Sequence, residues 1–493
     1  MKKYSFIVLY FIVLQAAAQN SNLLKGSFTA AKEKEIRLMG FLGTKDTLLA
    51  QTKTDALGNF LLDYPKKYTG AATLQVKETT SLIVLLNNEN FEITWADFKD
   101  FSALQFTNST ENEAFQQAYA INMDAQKKLA GLTYLLPFYK NDLTKKEMTA
   151  KLEQEITSEN SRFETFLKEM PHTSYAKAYL KYRAVLQQIQ KENTTQAEKK
   201  EVETTFLTLD FSDESLFYSG LAKELFDAYL KQTFTLQEEA LVVSKLNAFS
   251  DVLKKSSQGN TKALNQYSEY LMKEYEKFGL ISCAEYLALS LLDDTKCIIN
   301  DKTLPILEQY KKMAIGNKPA DLVFSAGLKY KKLSEVPGKY KVVVFGASWC
   351  EACRVEMPQF KDYAELFKTT YGAAIVFVSI DTDKEKYDAY IKDLPFINTC
   401  DYKGWESPNV KNYYVFATPS VYVLDTENKI VAKPRDAIAT AKWLYENKPL
   451  KQALRCSFTT AAPSLNFIFK NLLTFCNFGD KQSSYSNKPS PYQ

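Results

Sequence analysis

The chain has 493 residues, 45% hydrophobic and 24% charged, and its 62 Lys and Arg nearly balance 58 Asp and Glu for a formal charge of +4. That balance, with no basic face or motif, excludes a nucleic-acid footprint, and the length calls for about three domains. The single histidine, His172, excludes two-His metal centres and two-Cys two-His zinc sites, and its setting, Met170-Pro171-His172-Thr173-Ser174, reads as a loop or helix start rather than a catalytic site.

Lys2 and Lys3 precede an apolar run from Phe6 to Leu14, and Ala16-Ala17-Ala18 stands before Gln19. This is the pattern of a cleaved secretory signal over 1–18. The run is shorter than the roughly 20 residues a spanning helix needs, so an uncleaved anchor is the lesser alternative. No Cys follows it to suggest a lipoprotein. Export makes the mature chain periplasmic, with membrane association as a variant, in a compartment where disulfides persist.

Residues 19–110 read as a β-rich, sandwich-like domain. Alternating stretches such as Glu35-Ile36-Arg37-Leu38-Met39 and Ala72-Thr73-Leu74-Gln75-Val76 are separated by turns such as Leu57-Gly58-Asn59-Phe60. Residues 111–315 change to a helical period: Leu264, Tyr267, Leu271, Tyr275 and Phe278 share one face, most simply as core, with a ligand groove as the alternative. Residues 316–448 alternate strand and helix. Lys341 to Phe345 is a continuous apolar strand, as in a sheet covered on both faces; Glu351 to Thr369 is helical; Ala374 to Ile380 is a second buried strand. Val421 to Leu424 and Ile430 to Ala432 form a hairpin, and Asp436 to Tyr445 closes as a helix. The order β-α-β-α-β-β-α is that of a thioredoxin core. The tail, 449–493, holds an apolar run from Leu465 to Phe478 and a polar end, and reads as a poorly packed, poorly ordered extension, with a partner or membrane-surface helix as the alternative.

Seven cysteines are too few for a disulfide scaffold. Two of them, in Cys350-Glu351-Ala352-Cys353, follow a buried strand and open a helix. Unpaired N–H groups and the positive end of the helix dipole favour thiolate there. Cys350 is therefore the attacking thiol, and Cys353, one turn on, is placed to resolve a mixed disulfide. A zinc ribbon would need a second such pair, which is absent; a purely structural disulfide is the stronger alternative. Cys283 and Cys297, 14 apart, read as two unpaired core thiols rather than a bridge. Cys400 falls near the end of the variable segment, and Cys456 and Cys476 lie in the tail.

The stretch Phe345-Gly346-Ala347-Ser348-Trp349-Cys350-Glu351-Ala352-Cys353-Arg354-Val355-Glu356-Met357-Pro358 resembles the active-site segment of the TlpA/ResA-like family of exported thioredoxin-like disulfide reductases. Ile315-Gly316-Asn317-Lys318-Pro319-Ala320 resembles that family's lead-in, and the segment Tyr414 to Asp425 its cis-proline region. The resemblance covers about 130 residues, by the span of those three segments. The first 300 or so residues resemble, without a sharp motif, the N-terminal half of some larger periplasmic relatives.

The resemblance implies Cys350 as nucleophile, Cys353 as resolving thiol, Trp349 as a flanking aromatic, a cis Thr418–Pro419 bond, and Pro419 as a substrate-docking residue. It implies no cofactor beyond the redox-active Cys350–Cys353 disulfide, protein thiols and disulfides as partners, and an upstream membrane electron donor. Cytochrome c maturation is one task of the family. Three features depart from the pattern. Val344 stands where thioredoxin has a buried Asp, so proton transfer falls to water, Glu351 or another carboxylate. Ala352 replaces a frequent Pro, and the tail has no counterpart. Glu351 beside Cys350 opposes the thiolate and implies a reductase-like poise, unless solvent screens it. The competing reading is a non-catalytic partner- or ligand-binding protein with a degenerate thioredoxin domain. A peroxidase of related fold lacks its Thr-x-x-Cys setting.

Overall fold

The computed structural model describes residues 21–191, 195–294 and 297–447. The segment 1–18, expected above to be a secretory signal, and the tail, with Cys456 and Cys476, lie outside them.

Eight strands come first: β1 (Ser21–Ser27), β2 (Glu35–Leu42), β3 (Lys45–Lys53), β4 (Asn59–Pro65), β5 (Thr69–Val76), β6 (Thr80–Asn87), β7 (Phe91–Trp95) and β8 (Leu104–Thr107). They form two four-stranded sheets, ordered β4-β1-β7-β8 and β3-β2-β5-β6. Their alternating apolar residues, among them Leu24, Leu38, Leu62, Tyr64, Leu74, Ile93 and Trp95, meet in one core. The apolar run in β6 has a second cause. Ala71 and Leu85 turn to the opposite face, where they join the helical core, so β5 and β6 are covered on both sides.

Helices follow: α1 (Thr110–Lys140), α2 (Lys146–Glu169), α3 (Tyr175–Gln190), α4 (Gln196–Leu207), the single turn α5 (Glu214–Phe217), α6 (Leu221–Phe234), α7 (Glu239–Ser256), α8 (Thr261–Lys277), α9 (Ile281–Asp293) and α10 (Leu304–Lys312). Tyr267, Leu271 and Tyr275 of α8 are fully buried, but Phe278 is exposed, so the expected aromatic face is core except at its last member. Two residues at the start of α1 weld sheet to helices. Asn112 brackets the backbone of Leu85 on the open edge of β6, accepting its N–H at 2.8 Å and donating to its carbonyl at 2.7 Å. The buried Glu111 carboxylate accepts from Tyr175 N, Ala176 N and Ser174 Oγ, capping α3.

The C-terminal unit is a five-stranded sheet ordered β11-β10-β9-β12-β13, made of β9 (Tyr340–Gly346), β10 (Ala373–Ser379), β11 (Ile397–Cys400), β12 (Ser420–Leu424) and β13 (Ile430–Ala432). The helices α11 (Glu351–Tyr371), α12 (Lys384–Ile391), α13 (Pro408–Asn412) and α14 (Ala437–Glu446) complete it. β9, β10 and β11 run parallel, and β12 runs antiparallel to β9. The edge strand β11 and the short α13 correct the simpler element order expected above. Ile397-Asn398-Thr399-Cys400 is too short and too polar to announce a strand, yet it pairs with Val376 to Ser379. The lead-in also joins the sheet: Gly316 N–H donates to Ile430 O at 2.7 Å, and Ile430 N–H to Asn317 O at 2.9 Å.

Candidate redox site

β9 is central and buried, and its last residue is a glycine for a steric reason. A Cβ on Gly346 would sit 2.8 Å from the Phe377 ring and 3.3 Å from Cys353 Sγ. The chain then turns through Ala347, Ser348 and Trp349 into α11.

Cys350 is the N-cap of that helix, with φ −77° and ψ 113°. Its Sγ accepts the Cys353 backbone N–H at 3.1 Å, one of the orphan donors of the first turn. The two sulfurs are bonded, with Cα atoms 5.2 Å apart. Cys350 keeps 7% of its surface exposed and Cys353 none, so an incoming group meets Cys350 first. Across the gap the Thr418–Pro419 bond is cis, and the Thr418 carbonyl oxygen lies 3.4 Å from Cys350 Sγ.

The turn ahead of Cys350 is held by a buried carboxylate. Asp381, just past β10, accepts from Ser348 N at 3.0 Å, from Ser348 Oγ at 2.7 Å and from Ser379 Oγ at 2.7 Å. Arg354 Nε donates to the Ser348 carbonyl at 2.9 Å, closing the turn from the helix side. Tyr390 donates its hydroxyl to Cys353 O at 3.0 Å, and burial pushes its pKa up to about 12, so it stays a donor. The Asp381 and Arg354 bonds are charge-assisted and stronger than neutral ones, and together with the Tyr390 bond they fix where Cys350 points. Val344 packs in an apolar cluster with Met357, Phe360 and Phe377, so its position carries no proton acceptor.

Trp349 is half exposed, and its ring centroid lies 6.4 Å from that of Trp405, which is somewhat less exposed. Sequence reasoning missed both Trp405 and Asp381. The faint signal for Trp405 was its neighbour Gly404, which sits at φ +57°. Glu351 is exposed and takes part in none of these bonds. His172 is exposed before α3, in a turn remote in sequence from the cysteines. Cys283 and Cys400 are buried and free, and burial pushes the Cys283 thiol up to about 11. Cys297 is also free but only half-buried, at the edge of the core.

The helical region reaches this site through the segment that carries Thr418 and Pro419. The Tyr310 and Tyr414 rings meet edge-on at 5.2 Å, and the Tyr310 hydroxyl donates to Glu276. Lys433, beyond β13, forms a largely buried ion pair with Glu285 of α9. Arg435 pairs with Glu239 of α7 at 2.8 Å.

Residues 338–430 match the family model described as thioredoxin-like. ResA, a thiol-disulfide oxidoreductase of Oceanobacillus iheyensis, is 32% identical over 102 residues, 20% of this chain and 50% of that one. The thioredoxin-like protein YneN of Bacillus subtilis is 27% identical over 136 residues, 25% of this chain and 76% of that one. The chain spans under a fifth of two plant nucleoredoxins that it also matches. A thioredoxin-like protein from Bacteroides caccae aligns over 52% of this chain and 95% of its own, at 13% identity and a TM-score of 0.38.

Proposed function

We propose, from the premise that the chain carries a thioredoxin-like domain of the TlpA/ResA kind, that it is a thiol–disulfide oxidoreductase reducing protein disulfides through Cys350 and Cys353. One observation carries this reading: Cys350 Sγ caps a helix, accepts the Cys353 N–H and lies beside the Thr418 carbonyl, and Cys350 keeps 7% of its surface accessible where Cys353 keeps none.

In the reduced protein the helix N-terminus stabilises a thiolate on Cys350. That thiolate attacks one sulfur of a client disulfide. A Cys350–client disulfide forms, and the client's other sulfur leaves as a thiolate that takes a proton from solvent. Cys353, losing its own proton, then attacks Cys350 Sγ, and the second client sulfur leaves in turn. Two electrons pass to the client, and the protein is left as the Cys350–Cys353 disulfide. With Val344 apolar, solvent water is the acceptor we assign for the Cys353 proton. An upstream dithiol donor at the membrane must return the electrons. Thr418 and Pro419 supply the backbone edge against which an extended client segment lies, and Trp349 flanks it. The signal pattern over 1–18 supports an exported, periplasmic chain, and Glu351 beside the thiolate supports a reductase-like potential. We read the chain as three domains, in which the β-rich and helical parts hold and present the redox domain.

The test is reduction of insulin by the full chain with dithiothreitol as donor, alongside Cys350→Ser and Cys353→Ser controls. Turnover lost in both variants is the expected result. Equal turnover in all three proteins would return the protein to the class of binding modules.

A further inference from the structure

The hairpin of α1 and α2 is unlike the rest of the helical region. The buried residues of α1, Glu111, Asn112, Ala118 and Ala125, all lie in its first half, and those of α2, Glu159 and Leu167, in its second. The part between Ala125 and Glu159 therefore extends beyond the body. At 1.5 Å per residue the 31 residues of α1 span roughly 45 Å. Ion pairs across the hairpin brace it: Arg162 with Asp124 at 2.5 Å, Lys128 with Glu159 at 2.8 Å, and Lys140 with Glu153 at 3.1 Å.

A projecting hairpin with no core to cover should be polar at its end. Instead its end exposes Tyr134 (70%), Phe138 (64%), Met148 (45%) and Leu135 (43%), with the Tyr134 and Phe138 rings 5.5 Å apart. Between residues 131 and 151 stand four lysines against two acids. Both acids are engaged: Asp142 caps the turn through Thr144, and Glu147 pairs with Lys151. Lys146 forms no ion pair among the described residues, and Lys145 feels Asp142 only at longer range.

We propose that the end of this hairpin docks on an anionic lipid surface, Tyr134, Leu135, Phe138 and Met148 entering the interface and Lys145 and Lys146 meeting the headgroups. Three observations choose lipid over protein. The four apolar side chains offer on the order of 400 Å², two aromatics and two aliphatics partly exposed, about half of what a stable protein interface buries per partner. They sit on the projecting end of a hairpin, away from the buried residues of both helices, a shape that can sink into a soft interface. The unpaired charge beside them is positive, the sign that anionic headgroups attract. Aromatic rings and lysines with apolar stems are the side chains suited to that boundary.

The experiment is co-sedimentation of the full chain with vesicles of phosphatidylglycerol and phosphatidylethanolamine, against vesicles of phosphatidylcholine alone. Wild type, Tyr134→Ser/Phe138→Ser and Lys145→Gln/Lys146→Gln are compared, with sedimentation velocity in the absence of lipid. Wild type should partition onto the anionic vesicles and tenfold or more less onto the neutral ones. The aromatic pair should lose at least tenfold of that binding, and the lysine pair on the order of tenfold, a loss that high salt reproduces on wild type. Insulin reduction, which uses none of these residues, should be unchanged in both and reports that the variants are folded. Wild type left in the supernatant overturns the proposal. So does binding that survives in both variants, as it would if 465–478 carried it, and so does a change of oligomeric state in the aromatic pair.

Discussion

The Cys353 backbone N–H points at Cys350 Sγ from 3.1 Å, and the same sulfur lies 3.4 Å from the Thr418 carbonyl. One neighbour favours a thiolate and the other does not. The helix end must therefore win for Cys350 to react, and it is aided by the remaining first-turn N–H groups.

Asp381 braces the turn before Cys350 through Ser348 and Ser379. Asp381→Asn keeps the shape but replaces one accepting oxygen with an amide, leaving a serine hydroxyl or N–H unmatched in a buried place. It should destabilise the protein by about 1–3 kcal/mol, read as a shift in urea midpoint at constant m. It should also slow insulin reduction by displacing Cys350. Normal stability and turnover would remove Asp381 from the site.

Trp405 is predicted to bear on clients and not on sulfur chemistry. Trp405→Ala removes half of the exposed aromatic pair beside the disulfide. KM for a protein disulfide should rise by about tenfold, the effect of losing a contact centre, with kcat little changed. The rate at which dithiothreitol reduces the Cys350–Cys353 bond should stay at the wild-type value, since that small reagent needs no docking. A loss shared by both reactions would mean that Trp405 merely supports the fold.

Gly346→Ala tests the packing of β9 against Cys353. The added methyl must displace the Phe377 ring, which lies 2.8 Å from its position. Overpacking of this kind costs about 1–3 kcal/mol, measurable by thermal or urea unfolding. No loss would show that Phe377 yields freely.

The contact between helical and redox regions carries a pH signature. Burial holds the Glu276 pKa above its ordinary 4.5, against the hydrogen bond from Tyr310, which lowers it. A carboxyl with a raised folded pKa contributes stability that is fully present below pH 4.5 and is lost as pH rises through the folded value. Glu276→Gln keeps an acceptor for Tyr310 without the charge. Relative to wild type it should be more favourable at pH 7 than at pH 4, compared by urea unfolding. The opposite order would mean that ionised Glu276 stabilises the contact.

The redox domain was largely legible in the sequence because its signals are local. A continuous apolar strand runs into Cys350-Glu351-Ala352-Cys353, and Thr418-Pro419 precedes a second apolar strand. β11 was not, because four residues with Asn and Thr at their centre draw their strand character from pairing with β10. Asp381 and Trp405 reach the site only through the sheet order and the loop at Gly404, long-range facts that no local spacing records. In the helical region the spacing of Leu264, Tyr267, Leu271 and Tyr275 reads as core, while the bareness of Tyr134 and Phe138 does not, since apolar residues in a helical pattern look alike whether or not something covers them.

In the proposed reaction the sulfur at 350 attacks and the sulfur at 353 resolves. The most direct measurement is trapping: reduced Cys353→Ser and Cys350→Ser proteins are each mixed with an oxidised protein substrate, quenched by alkylation and mapped by mass spectrometry without reduction. Cys353→Ser should accumulate a mixed disulfide on Cys350, and Cys350→Ser should give almost none, because the Cys353 sulfur is buried. Adducts forming equally on Cys353, or on neither cysteine, would contradict the account.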